Sequence, residues 1–316
     1  MKILLTGSTG FLGSALLSEL VNRGAELITI GRDKNKQKSH DYIYTENLSS
    51  ESQFNLDAHK CDVAIHCAAR VHVMNESSIN PLDEFRKVNV YGTLFLAQQA
   101  AASGIKRFIF ISSIKVNGES TSYLPAFTEY SALAPEDPYS ISKKEAEDGL
   151  RKISRDTGME VVILRPPLVY GPGVKANFYN LLKLANTGFP LPFGAVHNFR
   201  SMIYVGNLVD FILTCIDHPA AANQTFLLSD RRDLSLAELL ILLRKSMDRP
   251  IRLIPVPIFV FRVAGFVTGK GAYIDRLVGS LQLDGSKSQE LLNWQPPFSV
   301  EQGIKATADY FLKGEE

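Results

Sequence analysis

Met1-Lys-Ile-Leu-Leu-Thr-Gly-Ser-Thr-Gly-Phe-Leu-Gly13 opens the chain, and its reading decides the fold. Ile3, Leu4 and Leu5 form a short apolar run suited to a strand buried on both faces. After a glycine-rich turn, Phe11, Leu12, Ala15, Leu16, Leu17 and Leu20 recur at helical spacing as far as Gly24. Strand, glycine turn and helix in that order make the phosphate-binding corner of a doubly wound α/β fold. Gly7 permits the tight turn, Gly10 admits a pyrophosphate close to the backbone, and Gly13 lets the helix lie against the strand. The N–H groups at the start of the helix then face an anion. The spacing G-x-x-G-x-x-G is one residue wider than the familiar G-x-G-x-x-G.

The same alternation continues downstream. Glu26–Ile30 is the second strand, Tyr42–Tyr44 a short third, and Val63–Ala69 another buried one. Phe85–Ser103 reads as one long helix closed by Gly104. Arg107–Ile111 is a strand ending at Ser112-Ser113, Lys143–Thr157 is helical, and Val161–Leu164 is a strand punctuated by Pro166-Pro167. Strands alternating with helices imply a Rossmann-type parallel sheet over residues 1–170. Residues 171–316, richer in aromatics, prolines and glycines, read as a smaller mixed substrate lobe. Helices are expected there at Leu236–Met247 and Val300–Leu312. Within about 201–228, Ser201–Val205 and Thr225–Leu228 are expected to return to the sheet.

Composition narrows the function classes. The 316 residues are 45% hydrophobic and 21% charged, with a net charge of +1. With no long basic or acidic run, neither nucleic acid nor an anionic membrane is supported as a partner. Cys61, Cys67 and Cys215 show no metal or redox spacing, and no metal is expected. The first apolar run reads as a strand rather than a leader, so the cytoplasm is the expected compartment. The greasiest segment, Leu253–Phe261, is broken by Pro255 and Pro257 and is too short to span a bilayer.

Two features carry chemistry. The second strand ends at Gly31-Arg32-Asp33, where NAD-binding folds usually place an acid on the ribose. Arg32 instead suits a 2′-phosphate, which favours NADP(H), with NAD(H) the alternative. Further on, Tyr139-Ser-Ile-Ser-Lys143 follows Pro138, and a helix there puts the phenol and the ammonium on one face. A nearby cation lowers the pKa of a phenol from its usual value near 10, so Tyr139 is expected to exchange a proton with a substrate oxygen. Ser113, at the C-terminal end of a parallel strand, is placed to bond the same oxygen.

Gly7-x-x-Gly10-x-x-Gly13, Asn89, Ser112-Ser113, Tyr139-x-x-x-Lys143 and Arg165-Pro-Pro-Leu-Val-Tyr-Gly-Pro172 together resemble an extended short-chain dehydrogenase/reductase of the NAD-dependent epimerase/dehydratase family. The resemblance implies catalysis by Ser113, Tyr139 and Lys143. It also implies cofactor contacts at Gly7, Thr9, Gly10, Phe11, Leu12, Gly13, Arg32, Asn47, Leu48, Ala68, Ala69, Arg70, Asn89 and Pro166, beside Tyr139 and Lys143. Asn89 is expected to hold the structure around the catalytic group. Asn117 stands where the family has a tyrosine in the wall of the sugar pocket, and Asn47 where it often has an acid. Asn177, Arg200 and Arg276 match residues that bind the pyrophosphate of a UDP-sugar, and Leu191 and Phe193 match the border of the uracil.

Within that family, Ala68–His72, Ser113–Glu119 and Arg276–Asp284 are similar to bacterial reductases of polysaccharide synthesis. Those act at C4 of UDP-4-keto-6-deoxy-N-acetylhexosamines, and such a reductase using NAD(P)H is the leading expectation. A UDP-hexose 4-epimerase with tightly bound NAD is the alternative, and a non-catalytic NAD(P)-sensing protein stands behind both. A dehydratase is disfavoured because Ile114 and Lys115, rather than an acidic pair, follow the serine. The resemblance also implies a homodimer packed through Phe85–Ser103 and Tyr139–Thr157.

Overall fold

The computed structural model describes residues 1–33, 40–49, 51–57, 59–71 and 80–314. The opening stretch forms strand β1 (Lys2–Thr6) and helix α1 (Phe11–Asn22). Then come β2 (Glu26–Gly31), β3 (Asp41–Tyr44) and β4 (Val63–His66). The long helix expected next is interrupted: α2 (Pro81–Arg86) and α3 (Thr93–Ala102) are joined by a π-helical stretch, Lys87–Gly92. Strand β5 (Arg107–Ile111) leads through a loop to α4 (Pro138–Thr157), followed by β6 (Glu160–Arg165) and β7 (Leu168–Tyr170). Helix α5 (Ala176–Asn186), β8 (Met202–Tyr204), α6 (Val205–Asp217) and β9 (Thr225–Leu227) come next. Helices α7 (Leu236–Ser246), α8 (Ile258–Val267), α9 (Gly271–Val278), α10 (Ser286–Leu292) and α11 (Val300–Lys313) complete the chain.

Seven strands form one parallel sheet in the order β3-β2-β1-β4-β5-β6-β9. Strand alternation sends side chains to two faces, and both are covered. Ile3, Leu5, Ile109 and Val162 pack with α1 and α6, and Trp294 closes that layer. Leu4, Phe108, Phe110 and Ile163 pack with Leu96 and Ala100 of α3 and with Ala146 and Leu150 of α4. A third cluster, built on Phe178, Leu240 and Ile304, is the core of the C-terminal elements.

One expected strand goes elsewhere. Thr225–Leu227 joins β6 in the main sheet, but Met202–Tyr204 pairs with Leu168–Tyr170 in a separate two-stranded sheet. Pro166 and Pro167 carry no N–H for a ladder, so the chain leaves β6 there. Asp230 then pins the second sheet by accepting from the Tyr170 hydroxyl, the Tyr204 N–H and the Asn207 amide.

The strand order reverses beside β1 and β4, which is where doubly wound sheets bind ligands. The glycine turn sits in that notch. A Cβ on Gly7 would stand 2.6 Å from the Ala68 nitrogen, and one on Gly13 would stand 2.1 Å from the Gly7 carbonyl oxygen. Gly13→Ala is therefore expected to cost about 1–3 kcal/mol of stability in urea unfolding. A loss below about 0.5 kcal/mol would show that the turn opens freely.

Candidate active site

Helix α1 starts at Gly10 with no side-chain cap and no acid in its first turn. Thr9 and Gly10 are exposed, and Phe11 and Leu12 half-buried, so the helix terminus presents its N–H groups in the notch. This cradle fits the pyrophosphate of a dinucleotide. At the end of β2, Arg32 is exposed, and a Cβ on Gly31 would stand 2.9 Å from the Tyr42 hydroxyl oxygen. That hydroxyl accepts the Asp33 N–H at 2.9 Å. Tyr42 thus occupies the space an acid at position 31 would need. Asn47 uses its carbonyl to accept the Thr45 and Ser52 hydroxyls, and Leu48 packs against the α3–α4 layer.

The three candidate catalytic side chains converge beyond the C-terminal end of β5. The Ser113 hydroxyl lies close enough to the Tyr139 phenol to favour its ionised form. The Lys143 Nζ lies 5.9 Å from the centre of the Tyr139 ring and 4.5 Å from that of Phe110. It donates to the Ile111 carbonyl at 2.8 Å. Burial pulls the pKa of this ammonium down to about 8, opposed by the charges of Cys67 and Glu147. The phenol departs from expectation. Burial, and then the charge of Asp137, push its pKa above the ordinary value, and the nearby Ser113 hydroxyl offsets only part of this. The lysine is held by a carbonyl and does not activate the phenol by itself.

Asp137 fixes the start of α4. Its carboxylate accepts the Ser140 N–H at 2.7 Å, and the Ser140 hydroxyl closes a capping box with the Asp137 backbone. Lys115 donates to Asp137 at 2.7 Å and to Glu119 at 2.8 Å, while its own N–H donates to Ser113 Oγ at 3.3 Å. Although burial pushes it up, the Asp137 carboxyl is held at a pKa of about 2 by Lys115 and Ser140.

Beneath these groups lies a network that the sequence did not reveal. Glu147, fully buried one turn after Lys143, accepts from Arg165 at 2.9 and 2.5 Å. It also accepts from Ser112 at 2.6 Å and Arg151 at 2.9 Å. Arg165 donates in addition to Asn117 at 3.0 Å. Asn117 therefore belongs to this buried knot and not to the wall of a sugar pocket. The signal was present in the spacing, since Tyr139, Lys143 and Glu147 stand four apart on one stripe of α4.

Asn89 lies in the π-helical stretch, a device common at functional sites. Its side chain accepts the Arg70 N–H at 2.8 Å and donates to the Arg70 carbonyl and to Ser142, each at 3.0 Å. It thereby ties the Ala68-Ala69-Arg70 loop to α4. Pro166 follows β6 and accepts the Ile114 N–H. His72 lies outside the described residues.

The candidate substrate residues are not equivalent. Arg200 donates to the carbonyls of Arg276 and Gly279, and burial lowers its pKa. The Arg276 side chain is exposed and pairs with Glu119 at 2.8 Å, so both arginines connect through Glu119 and Lys115 to Ser113. Asn177 stands exposed in the first turn of α5. Phe193 stacks on Phe261, ring centres 5.4 Å apart. Leu191 is a correction: its side chain is buried in the C-terminal core, and its backbone pairs with Leu253, so only its main chain is left to border a ligand.

Residues 3–228 match the model of the NAD dependent epimerase/dehydratase family. The chain belongs to that family. This epimerase/dehydratase is 46% identical over 314 residues to a UDP-glucose 4-epimerase of Vibrio cholerae, covering 99% of this chain and 96% of that protein. It is 28% identical to an N-acetyl-alpha-D-glucosaminyl-diphospho-ditrans,octacis-undecaprenol 4-epimerase of Escherichia coli O157:H7, covering 98% of this chain and 95% of the other. Among solved structures, it resembles UDP-glucose 4-epimerase with UDP-glucose from Thermotoga maritima. The TM-score is 0.76, with 25% identity and all of both chains covered.

His66 lies on β4, close enough to Lys143 to feel its charge. Its ring bonds Thr6 at 2.7 Å and Thr93 at 2.9 Å and lies 5.9 Å from the rings of Phe108 and Phe110. Burial, and then the Lys143 charge, lower its pKa from 6.5 to about 3. Between those values the unfolded chain binds a proton that the folded one refuses, so stability is full above pH 6.5 and is lost as pH falls toward 3. The urea midpoint of the native protein is expected to fall more steeply across that window than that of His66→Gln. Parallel curves would contradict this.

Proposed function

We propose that this epimerase/dehydratase is a UDP-sugar 4-epimerase working through Ser113, Tyr139 and Lys143. The observation that carries it is the convergence of Ser113 and Tyr139 beside a buried lysine, beyond the C-terminal ends of a parallel sheet. Sequence reasoning put a C4 reductase first. The 46% identity to a protein named UDP-glucose 4-epimerase reverses that order.

The glycine turn would hold the dinucleotide pyrophosphate, with the Asn89-anchored loop at Ala68–Arg70 beside it and Lys143 at the nicotinamide ribose. When bound in its oxidised form, the nicotinamide supplies positive charge and a reversible hydride acceptor for C4. Tyr139 takes the proton of the C4 hydroxyl and later returns one, and Ser113 bonds that oxygen throughout. Because burial and Asp137 keep the phenol protonated, it accepts a proton only when cationic charge stands near it. Arg200 and Arg276 hold the diphosphate, and turning the sugar between the two proton transfers inverts C4.

The reductase remains the second reading because Tyr42 fills the place of the ribose acid while Arg32 is exposed, an arrangement suited to NADPH. Tyr139→Phe is expected to lower turnover by about 10²–10⁴-fold while leaving dinucleotide binding intact. Near-normal turnover would remove Tyr139 from its role. Incubation with UDP-glucose or UDP-galactose should interconvert them with no net change in nicotinamide absorbance. Steady NADPH oxidation by a UDP-4-keto-6-deoxy-N-acetylhexosamine, without interconversion, would select the reductase instead.

A further inference from the structure

Helix α8 carries the sequence Ile258-Phe-Val-Phe-Arg-Val-Ala-Gly-Phe-Val267, and most of it is turned to solvent. Phe259 is 67% exposed, Val263 58%, Phe266 87% and Val267 77%. Their spacing of four, three and one residues places them on a single face. The opposite face faces the protein: Gly265 is buried where a Cβ would stand 2.9 Å from Ile274 of α9, and Phe261 stacks on Phe193. Two exposed phenylalanines and two valines on one stripe are unusual for a surface that meets only water.

The base of this helix is firm. The buried Arg244 donates to the Pro250 and Arg252 carbonyls at 3.0 and 3.2 Å and to the Thr187 carbonyl at 3.1 Å. Leu253 pairs with Leu191 just beyond. The stripe is therefore a fixed surface of the lobe.

The local charge identifies its occupant. Between Arg249 and Arg276 the chain has the cations Arg249, Arg252, Arg262, Lys270 and Arg276 against one acid, Asp275. Arg262 lies 3.6 Å from Asp275 and Arg276 pairs with Glu119, so Arg249, Arg252 and Lys270 carry the local excess in a protein that is nearly neutral as a whole. Arg262 lies within α8 and Lys270 at the turn into α9. An apolar helical face bordered by cations matches the boundary between acyl chains and anionic headgroups. A second copy docked on the same face would set these cations against their own equivalents. At ten residues α8 cannot cross a bilayer, and among the described residues no helix is long and apolar enough to do so.

We infer that α8 docks the protein on an anionic bilayer surface, with Phe259, Val263, Phe266 and Val267 entering the headgroup–acyl boundary and Arg262 and Lys270 meeting lipid phosphates. The reading of net charge alone missed this, because a local excess of cations is averaged away over the chain. Phe261 and Phe193 connect the docked face to the segment assigned to the nucleotide, so the substrate lobe lies toward the lipid. The inference does not depend on which reaction the site performs.

The test is co-sedimentation of the full chain with vesicles of phosphatidylethanolamine containing about a quarter phosphatidylglycerol, and with vesicles of phosphatidylcholine alone. Binding is expected to the anionic vesicles and to weaken in high salt. Phe259→Asp/Phe266→Asp should lower the bound fraction about tenfold or more with an unchanged thermal midpoint. Arg262→Gln/Lys270→Gln should remove the preference for anionic lipid, which keeps the test decisive if the aspartate variant misfolds. Absence of vesicle binding, or binding that survives both double substitutions, would overturn the inference. So would a dimer in lipid-free sedimentation that Phe266→Asp dissociates, because the face would then belong to a second copy.

Discussion

The carboxylate of Glu147 is fully buried, and the geometry above it depends on how that charge is satisfied. Removing a carboxylate from water costs several kcal/mol unless opposite charge and hydrogen bonds replace the lost solvent. Here Arg165 supplies both from the end of β6, Ser112 adds a hydroxyl from the end of β5, and Arg151 adds a donor one turn along α4. The pair therefore joins two strand ends and a helix at one point. A shift of α4 along the sheet would leave two charges unpaired in the core, a larger penalty than packing alone would impose.

The consequences for the site follow from adjacency. Ser113 is the next residue after Ser112, and Tyr139 lies two helical turns before Glu147 on the same stripe. Holding Ser112 and Glu147 together thus brings the Ser113 hydroxyl to the phenol. The other end of the arrangement is fixed at Asp137, where the capping box and Lys115 set the start of α4. From Lys115 the charges continue through Glu119 to Arg276, whose carbonyl accepts from Arg200, which links this end of the sheet to both arginines. Asn89 performs the matching task on the dinucleotide side by tying the loop after β4 to Ser142.

Much of this was legible because the signals are local. The β1–turn–α1 unit, the alternation through β6, and the convergence of Ser113, Tyr139 and Lys143 each follow from spacing within a few residues of a strand or helix end. What escaped depends on partners distant in sequence. Met202–Tyr204 reads as a sheet strand, yet only the prolines after β6 and the Asp230 pin decide which sheet it joins. The interruption at Lys87–Gly92 leaves the apolar pattern of a helix intact, so periodicity passes over it. Leu191 looked like a pocket residue by resemblance and is core by packing. Glu147 and Arg165 are separated by the last turns of α4 and by β6, so the spacing that puts Glu147 on the stripe of Tyr139 and Lys143 does not show the partner that lets its charge be buried.

The central claim is that Glu147 and Arg165 act as one unit that positions the site. A double-mutant cycle in urea unfolding, using Glu147→Ala, Arg165→Ala and both together, measures that directly. Each single change is expected to cost about 3–5 kcal/mol, with the double costing little more than either, because the second removal takes away the charge the first left stranded. Costs that simply add, or singles below about 1 kcal/mol, would contradict the account.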